Sequence, residues 1–281
     1  MRLGLVGIDN THADHAVRHL NGEHALGSAR VVAIQGGTAE RAATLSGGAI
    51  SVVSRPEDLI GLVDAAIVMD RDGSLHRAHA VPLLKAGIPV LVDKPLATTV
   101  ADAEAILEAA RTAGVPVTSY SALRWVDSLA AFRARVAELG PLTTVVATGP
   151  VQRDSVYGGV SFYGVHAVEL ALHLLTPSAS DDLTVSVLPG GVVATARVGG
   201  AHAVINLVER TPEAAVPFHL SVTGVGGVAA ETITLGKDYT LPALRVFLTM
   251  LATGTSPLTD AELLAPVHLL ETISTAVSTT H

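Results

Sequence analysis

At 281 residues the chain is long for a single core, so two domains of ordinary size are expected. Apolar residues at 49% against charged ones at 16% exclude a disordered chain. A net charge of -8 without a clustered basic stripe excludes nucleic acid and anionic membranes as natural partners and leaves small molecules.

The absence of cysteine removes disulfides, thiolate zinc sites and a cysteine nucleophile together, so any chemistry falls to other side chains or to a cofactor. No apolar run approaches bilayer-spanning length, and a cytoplasmic location is the expectation.

Residues 3–7 form a short apolar run, and after a polar turn Ala13, Ala16, Val17 and Leu20 recur at helical spacing, which predicts strand, loop and helix. The pattern repeats with a strand at 31–34 and a helix at 39–45, and Ser54-Arg55-Pro56-Glu57 has the spacing of a capping box opening a short helix. A strand at 65–69 follows, then a helix at 74–86 that Pro82 should kink and Gly87 should end.

Residues 88–95, Ile-Pro-Val-Leu-Val-Asp-Lys-Pro, read as a buried parallel strand whose carboxyl end carries Lys94. In open α/β sheets ligands bind just beyond the carboxyl ends of the strands, so this lysine is aimed at a pocket. A helix at 99–113, stopped by Gly114, and a strand at 115–118 close the series. Strands alternating with helices imply right-handed βαβ units, and so residues 1–120 are predicted to form a Rossmann domain with a doubly wound parallel sheet.

From Leu123 the rhythm changes. One helix at 128–139 leads to predicted strands at 143–148, 183–188, 192–198, 202–208, 217–223 and 228–235, and helices at 241–252 and 260–278 end the chain. Residues 121–281 are therefore expected to form an α+β domain on an open, mainly antiparallel sheet.

Between those strands, residues 164–175 have helical periodicity with Val165, Val168, Leu172 and Leu175 on the apolar side. His166, Glu169 and His173 stand at i, i+3 and i+7, within roughly 60° of one another around the helix. A carboxylate one turn from an imidazole can set its tautomer and raise its basicity, as a general base for an alcohol proton requires.

Val92-Asp93-Lys94-Pro95 resembles the Glu-Lys-Pro signature of the Gfo/Idh/MocA family of nicotinamide-dependent oxidoreductases, and Gly158-Gly159 through Gly164-x-His166-x-x-Glu169-x-x-x-His173 resembles its second signature. The resemblance implies an NAD(P)-dependent oxidoreductase acting on a hydroxyl or carbonyl of a sugar, polyol or sugar-like metabolite. It also implies a homo-oligomer built through the second-domain sheet, and a Lys94-Pro95 bond that is often cis. By the same resemblance Lys94 would polarise the reacting oxygen, His173 would move the proton, Glu169 would orient that histidine and His166 would line the site. The implied substrate position has the Lys94 amine facing the imidazole and carboxylate of the second domain. NAD or NADP would lie along Gly7, Asn10, Thr11, His12, Gly36, Met69, Asp70, His76 and Lys94.

The cofactor loop departs from that pattern. Of Gly-x-Gly-x-x-Gly, the stretch Gly7-Ile8-Asp9-Asn10-Thr11-His12 retains only the first glycine, and Asp9 is expected where phosphate charge would lie. The acid that usually ends the second strand is replaced by Gln35-Gly36-Gly37, with no arginine immediately beside it. Either Asn10, Thr11 and His12 donate to the dinucleotide at the helix start, or redox chemistry has given way to acid–base catalysis such as isomerisation, elimination or hydrolysis, or to non-catalytic metabolite binding. Histidine pairs at helical spacing, His12 with His15, His15 with His19 and His76 with His79, leave a divalent metal open as a further alternative, although no metal ligand is assigned.

Overall fold

The computed structural model describes residues 1–22, 26–175 and 181–279. The chain divides into two units. The first joins Met1–Tyr120 to Thr240–Asp260, and the second joins Ser121–Tyr239 to the segment from Ala261 onward.

In the first unit six parallel strands take the order β3-β2-β1-β4-β5-β6, with β1 Arg2–Val6, β2 Arg30–Gln35, β3 Ser51–Val53, β4 Ala65–Val68, β5 Val90–Val92 and β6 Val117–Ser119. This is the predicted doubly wound sheet, with one strand added: β3 has three residues, two of them exposed, too few to carry an apolar signature. Strand order reverses between β1 and β4, and at such a switch point the two diverging connections open a crevice at the carboxyl edge.

Helices α1 Thr11–Asn21, α2 Ala39–Ser46, α3 His76–Lys85 and α4 Val100–Ala113 complete the crossovers. Three are capped as their sequences suggest: the side chains of Asn10, Thr38 and Thr99 accept from the backbone N–H three residues on, and Gly47 and Gly114 end α2 and α4 in the left-handed conformation. Asn21 fastens the far end of α1 to β2, its side-chain amide donating to Val31 O and accepting from Val31 N, both at 2.8 Å. Pro82 lies within α3, which starts from a 3-10 turn at Gly73–Leu75.

Sequence order assigned 240–260 to the second domain, but Thr240–Asp260 returns to the first unit. Helix α7, Leu241–Thr253, buries Leu244, Phe247 and Met250, the Tyr120 hydroxyl donates to Ala243 O at 2.8 Å, and Thr240 Oγ1 meets His15 Nδ1 at 3.3 Å. Burial of that apolar face outweighs chain proximity.

In the second unit α5, Asp127–Ala137, precedes a six-stranded sheet of order β12-β11-β7-β10-β9-β8, formed by β7 Leu142–Val151, β8 Asp181–Leu188, β9 Gly191–Val198, β10 Ala201–Glu209, β11 Phe218–Gly224 and β12 Gly227–Ile233. The β7–β10 pair is parallel and the other pairs are antiparallel, so the sheet is mainly antiparallel as expected. The parallel pair leaves room for a long crossover between β7 and β10, and α6, Val160–Leu174, occupies it.

Alternation along the strands gives this sheet two unlike faces. Val145, Ala147, Ala194, Ala203, Ile205, Leu220 and Val222 are buried with α6, with Phe132 of α5 and with Ile273 of α8, Asp260–Thr279. The opposite face carries the half-buried Thr144, Val146, Thr195, Val204, Asn206 and Ser221, with no carboxylate among them. No helix among the described residues is long and apolar enough to cross a membrane.

Phe132 is wholly buried in this core, and Phe132→Ala is expected to lower the unfolding free energy by about 3–5 kcal/mol. Chemical denaturation measures this, and a loss under about 1 kcal/mol would show that α5 does not anchor the sheet.

Candidate functional site

The carboxyl edge of the parallel sheet gathers the loops after β1, β2, β4 and β5. After β1 the chain turns through Gly7 at φ +76°, and a Cβ there would stand 2.5 Å from the Asp70 carboxyl carbon, so only glycine admits this approach. Asn10 then does two jobs. Its oxygen caps α1 by accepting from Ala13 N at 3.1 Å, while its amide donates to Gly7 O at 2.9 Å and to Met69 O, stitching the loop to the end of β4.

Two histidine–aspartate pairs flank that loop. His12 Nδ1 donates to Asp93 Oδ2 at 2.7 Å, and His79 Nδ1 donates to Asp70 Oδ2 at 2.8 Å. Burial would push the Asp93 carboxyl up, yet the His12 ring, its hydrogen bond and the neighbouring Lys94 charge outweigh burial and hold it well below the usual carboxylate range. The hydrogen bond to Asp70 raises His79 against the opposing effect of burial. Lys94 follows Asp93 directly, and the Lys94-Pro95 bond is cis, as the resemblance implied.

His76 is fully buried between two carbonyls, with Nδ1 2.8 Å from Pro95 O and Nε2 3.0 Å from Asp70 O. Both ring nitrogens are thereby engaged with backbone, so the residue ties the start of α3 to the turn after Lys94. That is a different employment from the nucleotide contact expected of it.

Asp9 also differs from expectation. Its carboxylate lies at the β2 edge, where a Cβ on Gly37 would stand 3.0 Å from Oδ1. Arg41, one turn into α2, reaches back to this loop: Nε donates to Ile8 O and a terminal nitrogen to Asn10 O, both at 3.0 Å, while Asp14 takes the two terminal nitrogens at 2.8 and 2.7 Å. Arg41 does not stand immediately beside Gly36 in the chain, and its place three residues after the Thr38 cap is the only local signal of this role.

The loop suits a dinucleotide. The first N–H groups of α1 have no carbonyl one turn back, the helix dipole favours an anion there, and the Asp9 carboxylate lies beside Gly37. Among the described residues no group of three histidine, aspartate or glutamate side chains could hold a metal ion. His15 and His19 instead meet edge to face at 6.2 Å.

The second unit presents the α6 stripe. Ser121 organises it: Oγ lies 2.7 Å from His166 Nδ1, and the backbone N–H donates to Glu169 Oε2 at 2.7 Å. Ser121 was not predicted, since nothing local marks a serine 45 residues from its partner. Glu169 also faces the Arg124 guanidinium, whose terminal nitrogen donates to Glu262 at 3.1 Å.

His173 lies one turn beyond Glu169 on α6. It packs against the Trp125 ring at 6.4 Å between centroids and lines a cavity of about 200 Å³ with Arg133, Val136 and Leu142. Burial, then Arg124 and Arg133, push its imidazole down to about 3. Glu169, one turn before it on the helix, accepts from the Ser121 backbone N–H.

Residues 1–121 match the family described as "Oxidoreductase family, NAD-binding Rossmann fold". Among curated proteins, the chain is 31% identical over 186 residues to inositol 2-dehydrogenase 2 of Saccharopolyspora erythraea, covering 62% of this chain and 54% of that protein. It is 33% identical over 143 residues to 1,5-anhydro-D-fructose reductase of Ensifer adhaerens, covering 49% and 41% respectively. The chain thus spans about half the length of the curated relatives it matches. Among solved structures, GenD2 from gentamicin A biosynthesis, in complex with NAD, superposes with a TM-score of 0.85 at 16% identity, covering 100% of this chain and 95% of that one, a likeness of fold.

The sign of the His173 shift makes a prediction. Between about 6.5, where an unfolded histidine titrates, and about 3 in the folded chain, the unfolded state takes up a proton that the folded state refuses. Stability therefore falls as pH drops through that window, and His173→Asn should flatten the fall. Urea unfolding between about pH 7 and pH 4 measures it, and equal slopes in the two proteins would contradict the assignment.

Proposed function

We propose that the chain is an oxidoreductase of the Gfo/Idh/MocA type, whose family model its first 121 residues match, and that it interconverts a secondary hydroxyl and a carbonyl on a sugar, polyol or sugar-like metabolite with a nicotinamide dinucleotide. The names of its relatives, inositol 2-dehydrogenase and 1,5-anhydro-D-fructose reductase, support that substrate class. The observation that carries the reading is the end of β5, where an ionised Asp93, secured by His12, precedes Lys94 at the crevice edge.

A bound nicotinamide dinucleotide would supply the hydride chemistry, accepting from the carbinol carbon or donating to the carbonyl carbon. Gly7, Asn10, Thr11 and His12 would hold its pyrophosphate at the start of α1, with Gly36, Met69 and Asp70 along its edges. Lys94 would donate a hydrogen bond to the substrate oxygen and stabilise negative charge growing there, an effect largest in the transition state. Asp93, kept ionised, holds a counter-charge beside Lys94.

Of the two α6 histidines, the observations favour His166 as the group that moves the hydroxyl proton. A ring held near 3 is almost never protonated at neutral pH and is a weak base, which suits His173 poorly to the task expected of it. His166 has its Nδ1 oriented by Ser121, as a proton-transfer imidazole requires. The half-buried open face of the second-unit sheet is assigned to homo-oligomer formation, its partly covered Val146 and Val204 favouring a second copy.

A second reading has one observation behind it: Asp9 and His12 replace two of the three loop glycines, as a chain that had abandoned hydride transfer for acid–base chemistry would tolerate. Titration of nicotinamide fluorescence separates the two. The oxidoreductase reading requires NADH or NADPH to bind, and silence for both at about 1 mM would replace it with the second.

Given a substrate from a panel of polyols, Lys94→Ala should cut kcat at least about 100-fold with nucleotide affinity kept, and His166→Asn should cost far more than His173→Asn. Full activity in Lys94→Ala would remove the lysine from the mechanism. Sedimentation of Val204→Asp should show smaller particles than the unaltered chain, and identical sedimentation would move the interface elsewhere.

A further inference from the structure

The β2 edge has an acid after all, brought from a different loop. Strand β2 ends at Gln35, and the residues that follow, Gly36 and Gly37, have no side chains, so the corner where a Rossmann site usually holds the adenosine ribose lacks its own carboxylate. The first loop closes on this corner: a Cβ on Gly36 would stand 3.2 Å from Gly7 N, and one on Gly37 would stand 3.0 Å from both Asp9 Oδ1 and Ile8 Cγ1. Gly37 is at φ +72°, so a side chain there would be strained as well as crowded. The exposed Asp9 carboxylate rests over the gap that Gly37 leaves.

We propose that Asp9 recognises the 2′- and 3′-hydroxyls of the adenosine ribose from the first loop, and so makes this chain a binder of NAD(H) in preference to NADP(H). The inference rests on the dinucleotide reading above and deepens it. A carboxylate accepts hydrogen bonds from both hydroxyls of a vicinal diol, whereas a 2′-phosphate at the same place sets like charges against each other.

Arg41, the arginine packed against Gly37, is already engaged. Arg41 has its stem 3.2 Å from the Gly37 Cβ position, but its guanidinium is fixed on Ile8 O, Asn10 O and both oxygens of Asp14. Turning it toward a 2′-phosphate would break a bidentate pair and release two loop carbonyls. Gln35 and Thr38, the remaining polar side chains of the β2–α2 connection, carry no charge.

Fluorescence and calorimetric titration of the intact chain with NADH and NADPH test the assignment. NADH should bind at least about 10-fold more tightly, and Asp9→Asn should weaken NADH about 10-fold while leaving NADPH unchanged or improved, so that the preference collapses. Because Asp9 is exposed, the variant should keep the unaltered chain's melting temperature, which circular dichroism verifies. NADPH bound as tightly as NADH, or an unchanged NADH affinity in Asp9→Asn, would overturn the role of Asp9 and leave the dinucleotide reading standing. Failure of both nucleotides to bind the unaltered chain would overturn the two together.

Discussion

A carboxylate at the end of β5 sets the terms for everything around it. Asp93 is largely hidden, and burial by itself favours its neutral form. The His12 ring reverses that preference, and because His12 stands in the first turn of α1, the same bond draws the first helix of the fold onto the end of the fifth strand. One contact across 81 residues thus fixes the charge beside Lys94 and the position of the helix whose start is proposed to receive the dinucleotide. A glycine at position 12 would suit close helix packing and could do neither.

Around that contact the carboxyl edge is held by backbone as much as by side chains. Asn10 bonds to the carbonyls of Gly7 and Met69, Arg41 to those of Ile8 and Asn10, and His76 to those of Asp70 and Pro95. A loop stripped of two glycines loses the close packing they allow, and these side chains restore rigidity by another route. The α6 stripe follows the same rule, with the Ser121 backbone and hydroxyl addressing Glu169 and His166 in turn.

Much of the architecture was legible in the chain. Apolar runs with helices between them announced the parallel sheet, and six alternating segments announced the second one, because period-2 and period-3.6 patterns are local properties. Strand β3 was missed for want of buried residues, and α7 was placed in the wrong unit because chain order says nothing about which apolar surface a helix covers. At the site, Lys94 could be singled out because a strand end marks it, and the nearness of His166 to Glu169 follows from helix geometry. The bonds of His12 to Asp93, of His166 to Ser121 and of Arg41 to the first loop join distant segments, and no spacing rule reaches that far. His173 is instructive in another way: its place on the helical stripe was legible, but its solvation was not, and solvation decides whether an imidazole can carry a proton.

The return of Thr240–Asp260 to the first unit has a bearing on how such a chain can be inherited. Its polypeptide leaves the nucleotide-type unit at residue 120, revisits it for one helix, and departs again at 261, so neither unit is a continuous stretch of message. A recombination that transplanted residues 1–120 alone would carry the parallel sheet without the helix that buries Phe247 and accepts the Tyr120 hydroxyl at Ala243 O, and the apolar surface that helix covers would arrive bare. The two halves are in that sense bound to descend together, a bond imposed by threading rather than by chemistry.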